Sequence, residues 1–285
     1  MALRINYNFE SISAQRNLAG TQQSFFRAIE QLSSGLRINK AADDTAGLAV
    51  SEKLKNQVRG LNQAQRNAQD GVSLLQTAEG ALNETHNILA RMRELAVQSS
   101  NDTLTNADRL HIQDEINQLL SEIDRIAAAT QFNTIPLLRG SGVATAMQFH
   151  VGPNNITTNA VDEITFSLVN ANSTGLAVAN LSTASAQSLT TQSGANAAIS
   201  VLDTAIEDVS TRRGAIGAMQ NRLQSTINSL GVASENTGAA NSRIRDADVA
   251  QAVSEMVKNQ ILQQSTMAVL AQANQAPQMA LQLLK

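Results

Sequence analysis

The sequence predicts a mainly α-helical protein: a long antiparallel helical bundle or coiled coil formed by both chain ends, with a small β-hairpin element in the middle. Three observations predict this class. Apolar residues recur every seven positions near both ends, only 3 of 285 residues are proline, and only 2% are aromatic. A heptad repeat keeps one apolar seam on one helix face, and this seam needs a partner helix. Few prolines leave long helices possible, and few aromatics favour a thin core between helices. We therefore expect an extended protein whose ends pack together and then pack against copies of themselves.

The two heptad repeats predict the seam of a bundle within one subunit. The repeat on the N-terminal side consists of Leu54, Leu61, Ala68, Leu75, Leu82, Leu89 and Ala96. The repeat on the C-terminal side consists of Leu202, Val209, Ile216, Leu223 and Leu230.

Capping signals predict where the N-terminal helices begin and end. A first amphipathic helix is expected to stop near Gly35, since glycine is a favoured helix terminator. After a connector at 36–42, Asp43 and Asp44 are placed to cap a second helix that runs to about Gln98. Glycines inside that helix, among them Gly60, could allow close helix–helix approach or could simply be tolerated.

The segment after this long helix predicts a third helix and then a change of character. Thr105 and Asp108 have the spacing of a capping box, followed by isoleucines and leucines at helical spacing. From about 140 to 202, the only charged residues are Asp162 and Glu163. Apolar residues alternate over 147–151 and again over 164–168, which predicts two short strands of one antiparallel element.

The last forty residues predict a Gln-rich amphipathic helix with weak hydrophobic drive. Because most helical stability in proteins comes from packing, such a helix should order when it is buried against neighbours. We expect disorder in the monomer and order in an assembly.

The composition gives little support to nucleic-acid binding, membrane insertion or disulfide chemistry. The formal charge is −3, there is no cysteine, and no window of eighteen apolar residues occurs. Nucleic-acid binding usually requires a basic patch, and a membrane span requires about 20 apolar residues. The N-terminus also lacks the apolar region of a secretory signal, so composition alone predicts a cytoplasmic protein.

Catalytic and metal-binding motifs are equally scarce in the sequence. His86, His111 and His150 are far apart, and no HExxH pair occurs. His111 and Asp114 are three residues apart on a predicted helix, an arrangement more typical of a solvated face than of a metal pair. We expect no enzymatic activity, no catalytic residue, no metal and no cofactor.

Long motifs at both ends closely resemble the bacterial flagellin family. The N-terminal motifs are LSSGLRINKAADDTAGLAVSEKL (32–54), GLNQAQRNAQDGVSLLQTAEGALNE (60–84), RMRELAVQSSN (91–101) and EIDRIAAATQFN (122–133). The C-terminal motif is SRIRDADVAQAVSEMVKNQILQQSTMAVLAQANQAPQ (242–278). The resemblance covers about 1–139 and 195–285.

The resemblance implies a structural subunit of the flagellar filament with two domains. Residues 1–42 and 243–285 would form a terminal coiled-coil domain, the inner core of the filament. Residues 43–242 would form a helical bundle domain with a small β region at about 140–190, without outer variable domains. Polymerisation would involve apolar residues of the terminal helices, namely Ile12, Leu18, Phe25, Ile29, Leu32, Val253, Val257, Ile261, Met267 and Leu270.

The resemblance also implies partners. Arg91, Leu95 and Glu115 match the family positions that a vertebrate Toll-like receptor contacts on the flagellin monomer, although these residues could serve assembly alone. A flagellar export chaperone would bind the C-terminal helix, and hook-associated junction and cap proteins would contact the filament. The resemblance also implies export of the unfolded chain by the flagellar type III system, which would explain why no secretory signal is visible. This replaces the cytoplasmic expectation with a secreted protein in a filament that is extracellular or, as in spirochaetes, periplasmic.

Three alternatives remain open from the sequence. A hook–filament junction protein of the same superfamily would share the terminal architecture but generally lacks motifs such as RELAVQ and LAQANQ in this form. A flagellin carrying an inserted protease would need HExxH and a longer insert. A plain cytoplasmic coiled-coil scaffold would not explain matched motifs at both ends.

Overall fold

Five α-helices and four short β-strands occur in the described part of a computed structural model, which covers residues 8–139, 146–154, 160–182 and 188–282. The helices are α1 (Phe9–Ser34), α2 (Thr45–Ser99), α3 (Asn106–Ala129), α4 (Gln192–Arg245) and α5 (Val249–Gln282). The strands are β1 (Gln131–Phe132), β2 (Ile135–Pro136), β3 (Met147–His150) and β4 (Glu163–Phe166). The predicted fold class, mainly α-helical with a small β-hairpin, is confirmed.

The chain divides into two compact units. The first unit contains residues 1–58 and 235–285, and the second contains residues 59–234. These boundaries fall inside α2 and α4. The family resemblance predicts domain boundaries at 42/43, in the connector after α1, and at 242/243, which lies near the end of α4. Because α2 and α4 continue through the division, no break in secondary structure marks it.

The ends of α1 and α2 follow the capping signals of the sequence. Gly35 ends α1 with a left-handed φ of 69°, and its N–H donates to the carbonyl of Gln31 at 2.9 Å. Such a φ costs glycine nothing, since it has no Cβ. The Asp44 carboxylate accepts the N–H of Gly47 at 2.8 Å and caps α2. Asp43 instead accepts the N–H groups of Asn39 and Lys40 in the connector, at 3.2 and 2.9 Å.

The turn between α2 and α3 is held by a capping box and a buried arginine. Thr105 and Asp108 form the predicted capping box at the start of α3. Arg109 is 6% exposed, and its Nε donates to the carbonyl of Ser99 at 2.8 Å while its Nη2 donates to the carbonyl of Asn101 at 2.9 Å. A cation is favourable there because the last carbonyls of a helix carry partial negative charge.

The strands form two separate hairpins. β3 and β4 pair antiparallel, with Phe149 opposite Ile164, at the two positions where the sequence predicts strands. β1 and β2 form a shorter antiparallel pair that the sequence pattern does not indicate. Its turn residues, Asn133 and Thr134, have φ values of 48° and 67°, the conformation that a two-residue hairpin requires.

The second unit contains the large apolar core. Leu75, Leu82 and Leu89 of α2 are at most 1% exposed, as are Leu202 and Leu223 of α4. Ile116 and Ile123 of α3 belong to the same cluster, and so do Phe149 and Ile164 of the β3–β4 hairpin.

Two glycines of α2 allow the β3–β4 hairpin to approach the helix closely. A Cβ atom at Gly60 would lie 2.9 Å from Pro153, and one at Gly71 would lie 3.0 Å from the ring of Phe149. Between these glycines, the side-chain amide of Asn67 donates to the carbonyl of His150 at 3.0 Å. The close approach at Gly60 and Gly71 is therefore between a helix and a hairpin, and it leaves no room for a side chain.

Candidate assembly surface

In the first unit, α1 and α5 pack antiparallel along a seam of mostly small and polar residues. Its members recur at alternating spacings of three and four and are buried or half-buried: Ser11, Ala14, Leu18, Thr21, Phe25, Ala28 and Leu32 in α1, and Ala252, Met256, Asn259, Gln263, Thr266, Leu270 and Ala273 in α5. This is the pattern of a two-helix coiled coil. Because few large apolar residues occupy the seam, pairing of the two helices alone buries little apolar surface.

Hydrogen bonds tie the helix pair together at both ends. At one end, Asn8 Nδ2 donates to the carbonyl of Ala273 at 2.8 Å, and the Ser11 hydroxyl donates to Asn274 Oδ1 at 2.9 Å. At the other end, the N–H of Arg37 donates to the carbonyl of Arg245 at 2.7 Å. Arg245 also forms an ion pair of 2.5 Å with Glu52. The register of α1 on α5 is therefore fixed at two distant points.

The outer faces of α1 and α5 carry many exposed large apolar side chains. Phe26 is 59% exposed, Ile261 60% and Met267 49%. The others on these two helices are Phe9, Ile12, Ile29, Val249, Val253, Val257, Leu262 and Val269. Glu255 and Lys258 are the only charged residues in α5. A large exposed apolar surface of this kind, poor in charge on α5, marks an interaction site.

The residues predicted for polymerisation fall into two sets. Leu18, Phe25, Leu32 and Leu270 are half-buried on the seam between α1 and α5. The exposed set consists of Ile12, Ile29, Val253, Val257, Ile261 and Met267. The sequence could not separate these sets, because apolar residues occur on several faces of α5.

An open groove of about 560 Å³ runs beside the α1–α5 seam. It is lined by Glu10, Ser13 and Asn17 of α1 and by Val269 and Gln272 of α5, together with Ala14 and Ala273.

In the second unit, the residues of the predicted receptor site differ in accessibility. Arg91 Nη2 lies 3.0 Å from Glu115 Oε1, and Arg91 Nη1 lies 3.1 Å from Glu94 Oε2. The hydrogen bond to Glu115 raises the pKa of Arg91 above its ordinary value, so the guanidinium stays charged. Both partners of this α2–α3 ion pair are exposed. Leu95, one turn from Arg91, is only 2% exposed and packs in the core.

The residues of the predicted bundle seam lie at helix faces that the chain itself covers. All except Leu54 are buried, with exposed fractions of 8% or less. Leu54 belongs to the first unit and is half-buried.

Within the described residues, no group of three or more His, Asp or Glu side chains is placed to hold a metal ion. His111 and Asp114 are both exposed on α3. None of the described helices is long and apolar enough to cross a membrane.

The paired terminal helices, their exposed apolar faces and the helical core define a class of protein: a helical structural subunit that presents an assembly surface. Family models narrow this class. The model of the bacterial flagellin N-terminal helical region matches residues 5–143, and that of the C-terminal helical region matches residues 199–284. The chain belongs to the bacterial flagellin family, which is a structural protein family.

Similar proteins extend over the whole chain. A flagellin of Halalkalibacterium halodurans is 48% identical over 281 residues, covering 99% of both chains. The flagellar filament 33 kDa core protein of Treponema phagedenis is 45% identical over 290 residues and also covers 99% of both. A flagellin of Bacillus subtilis is 44% identical over 309 residues, covering 99% of this chain and 100% of its own. These relatives identify the chain as a structural subunit of the flagellar filament.

Among solved structures, a putative flagellar hook-associated protein from Vibrio parahaemolyticus aligns with a TM-score of 0.57 at 15% identity. The alignment covers 72% of this chain and 100% of that one. At this identity, the likeness concerns the fold alone.

Proposed function

We propose that this chain polymerises through the outer faces of α1 and α5 into the helical filament that drives swimming. The observation that carries this proposal is the row of exposed apolar side chains on these helices, of which Ile261 at 60% exposure is an example. At about 25 cal/mol per Å² of apolar surface buried, covering such faces gives a large favourable free energy. The same surface would be a liability for a protein that stays monomeric.

The composition of α5 supports an interface that forms only when subunits assemble. Its seam toward α1 contains Asn259, Gln263 and Thr266, which are weak drivers of pairing in isolation. Such helices gain most of their stability from packing, so neighbouring copies would complete the burial that one subunit leaves unfinished. We therefore infer that the C-terminal helix orders fully on assembly.

Truncation tests the role of the terminal helix. Full-length protein brought to high salt should form long tubes visible by electron microscopy. Protein lacking residues 250–285 should keep the cooperative unfolding of the second unit but form no tubes. Tubes formed by the truncated protein would refute the proposal.

The chain is further proposed to be exported unfolded by the flagellar type III system. The absence of cysteine, and hence of disulfides, supports threading of an unfolded chain. Before export, a chaperone that covers the apolar faces of α5 would prevent polymerisation in the cytoplasm. In the flagellum, the hook-associated junction and cap proteins would contact the two ends of the filament.

Recognition of the monomer by a Toll-like receptor is proposed for the surface around Arg91 and Glu115. Their ion pair presents a charged patch across α2 and α3, while the buried Leu95 would act by positioning α2 beneath this patch. Arginine is enriched among residues that dominate binding energy. Filament assembly and receptor recognition can be measured on the same variants, so experiments can separate the two roles.

Receptor signalling from purified monomer tests this second function. Arg91→Ala should weaken signalling by about tenfold or more, as expected for a dominant contact residue. The matched control is Arg93→Ala, which removes an equally exposed arginine two residues away that pairs with Asp203 on α4. Equal effects of both substitutions, or no signalling from the unaltered monomer, would contradict the proposal.

The hook–filament junction protein is the alternative of the same superfamily. Relatives named flagellin or flagellar filament core protein, matched over nearly their full length, favour the filament subunit.

A further inference from the structure

Met267 is an exposed methionine on the outer face of α5, with 49% of its surface accessible to water. The other methionines whose surroundings the structure describes are covered. Met92, Met147 and Met219 are at most 9% exposed in the core of the second unit. Met256 is half-buried on the seam between α1 and α5. Among the described side chains, Met267 is therefore the thioether that a dissolved reagent reaches most readily.

The composition of the chain directs peroxide chemistry to its thioethers. The chain contains no cysteine, so no thiolate competes for the oxidant. The sulfur lone pair of methionine attacks one oxygen of hydrogen peroxide, and an S–O bond forms as the O–O bond breaks. The proton of the transferred oxygen leaves with the other oxygen as water, so the sulfur is oxidised and the peroxide is reduced. The sulfoxide product is polar and chiral, whereas the original side chain is apolar.

Met267 lies in a part of α5 that has little to offer a new polar group. Ile261 and Val269, within two turns of Met267 along the helix, are 60% and 55% exposed and are apolar. The charged residues of α5, Glu255 and Lys258, lie more than two turns away. When a neighbouring copy covers this face, a sulfoxide oxygen loses its water partners and enters an apolar contact, which is unfavourable.

We propose that Met267 is a peroxide-sensitive modification site that controls subunit assembly. Oxidation of Met267 in the free monomer prevents its addition to a filament, because the sulfoxide disrupts the apolar contact. This inference rests on the proposed assembly through the outer faces of α1 and α5. Once a subunit has been incorporated, the covered thioether is shielded, so the filament tolerates an oxidant that inactivates the monomer. Methionine sulfoxide reductases A and B, which each reduce one epimer of the sulfoxide, reverse the block.

Peroxide treatment of the full-length monomer tests this site. Unaltered protein, Met267→Leu and the matched control Met256→Leu are treated with hydrogen peroxide, freed of it and brought to high salt. Treated unaltered protein and treated Met256→Leu should need about tenfold more protein to form filaments, as one unpaired polar group in the interface predicts. Met267→Leu should assemble equally well before and after treatment. An equal loss of assembly in treated Met267→Leu would overturn the proposal.

Mass spectrometry of the unaltered protein decides the question even if Met267→Leu does not assemble. Trypsin cleavage after Lys258 releases the peptide 259–285, in which fragmentation separates Met267 from Met279. Met267 should be oxidised several-fold more slowly in filaments than in monomers, and the two reductases should restore assembly of the oxidised monomer. Equal oxidation rates in both states would show that Met267 lies outside the interface and would refute the inference.

Failure of this inference can be distinguished from failure of the proposed function. If untreated, unaltered protein forms no filaments at high salt, the assembly surface itself is wrong. If untreated protein forms filaments and monomers oxidised at Met267 assemble equally well, the assembly surface stands and only the modification site is wrong.

Discussion

The side-chain carbonyl of Gln113 accepts a hydrogen bond of 2.6 Å from the backbone N–H of Leu189. The amide of the same side chain donates to the carbonyl of Leu181 at 2.8 Å. Gln113 is only 1% exposed, so one buried side chain of α3 satisfies two backbone groups on the path from β4 to α4. Side chains that pair with buried backbone groups are expensive to remove, because the backbone groups lose their partners.

Gln113→Ala should lower the free energy of unfolding of the second unit by about 1–3 kcal/mol, the cost of leaving buried polar groups unpaired. Chemical denaturation of the monomer measures this change. Gln118→Ala, on the exposed face of the same helix, should change it by less than about 0.5 kcal/mol. Equal effects at the two positions would show that Gln113 has no special role.

Leu89→Ala should lower the same free energy by about 2–5 kcal/mol, because the substitution leaves a cavity among fully buried side chains. Leu89 is 0% exposed, whereas Leu110 on α3 is 49% exposed. The matched substitution Leu110→Ala should cost less than about 1 kcal/mol. A small effect of Leu89→Ala would mean that the heptad seam is not packed within one subunit.

Gly80→Ala should stabilise the monomer by about 0.8–1 kcal/mol, the difference in helix propensity between the two residues. The position has open space, since nothing lies within 4 Å of an added Cβ. Gly60→Ala should instead destabilise the protein, because its Cβ would lie 2.9 Å from Pro153. Denaturant midpoints compare the two variants, and stabilisation by Gly60→Ala would contradict the close packing of the hairpin on α2.

The capping box of α3 should respond to acid. The hydrogen bond from the Thr105 hydroxyl, at 2.7 Å, and the one from the Thr105 N–H lower the pKa of Asp108 below its ordinary value. A carboxyl group whose pKa is depressed in the folded state stabilises the fold above its unfolded pKa, about 3.9, and this contribution is lost as the pH falls through the folded value.

Asp108→Asn should therefore lower the thermal midpoint of the monomer at pH 6, and the gap from the unaltered protein should close below about pH 4. The control Asp102→Asn, in the exposed turn before α3, should leave the midpoint unchanged at both pH values. A gap for Asp108→Asn that persists at pH 2.5 would contradict the role of the ionised carboxylate.

Local signals made much of this fold predictable from the sequence. Gly35 ends α1 and Thr105 begins α3, because capping depends on residues within one turn of the helix end. The strands at 147–150 and 163–166 were predictable because alternation over several residues is itself a structural signal. By contrast, β1 and β2 are two residues each, too short for any alternation to appear.

Relationships between distant segments were less predictable. The sequence suggested helix–helix approach at the glycines of α2, whereas Gly60 and Gly71 accommodate the β3–β4 hairpin. A glycine in a helix indicates that another element can pack closely there, but the tertiary fold decides which element it is. In α5, large apolar residues such as Ile261 lie on the outward face, whereas polar residues such as Gln263 and Thr266 lie on the inward seam, so periodicity could not show which face packs against α1. The residues predicted for polymerisation therefore include members of both the seam and the exposed face, which the sequence alone does not separate.

Polymerisation of Ile261→Lys tests the proposed assembly surface most directly. Ile261 is 60% exposed on α5, so a lysine is tolerated in the monomer but places an unpaired charge in an apolar interface. The variant should remain folded by circular dichroism yet form no filaments by sedimentation and electron microscopy, while the matched variant Ile261→Leu polymerises normally. If Ile261→Lys forms filaments as readily as the unaltered protein, the outer face of α5 is not the assembly surface.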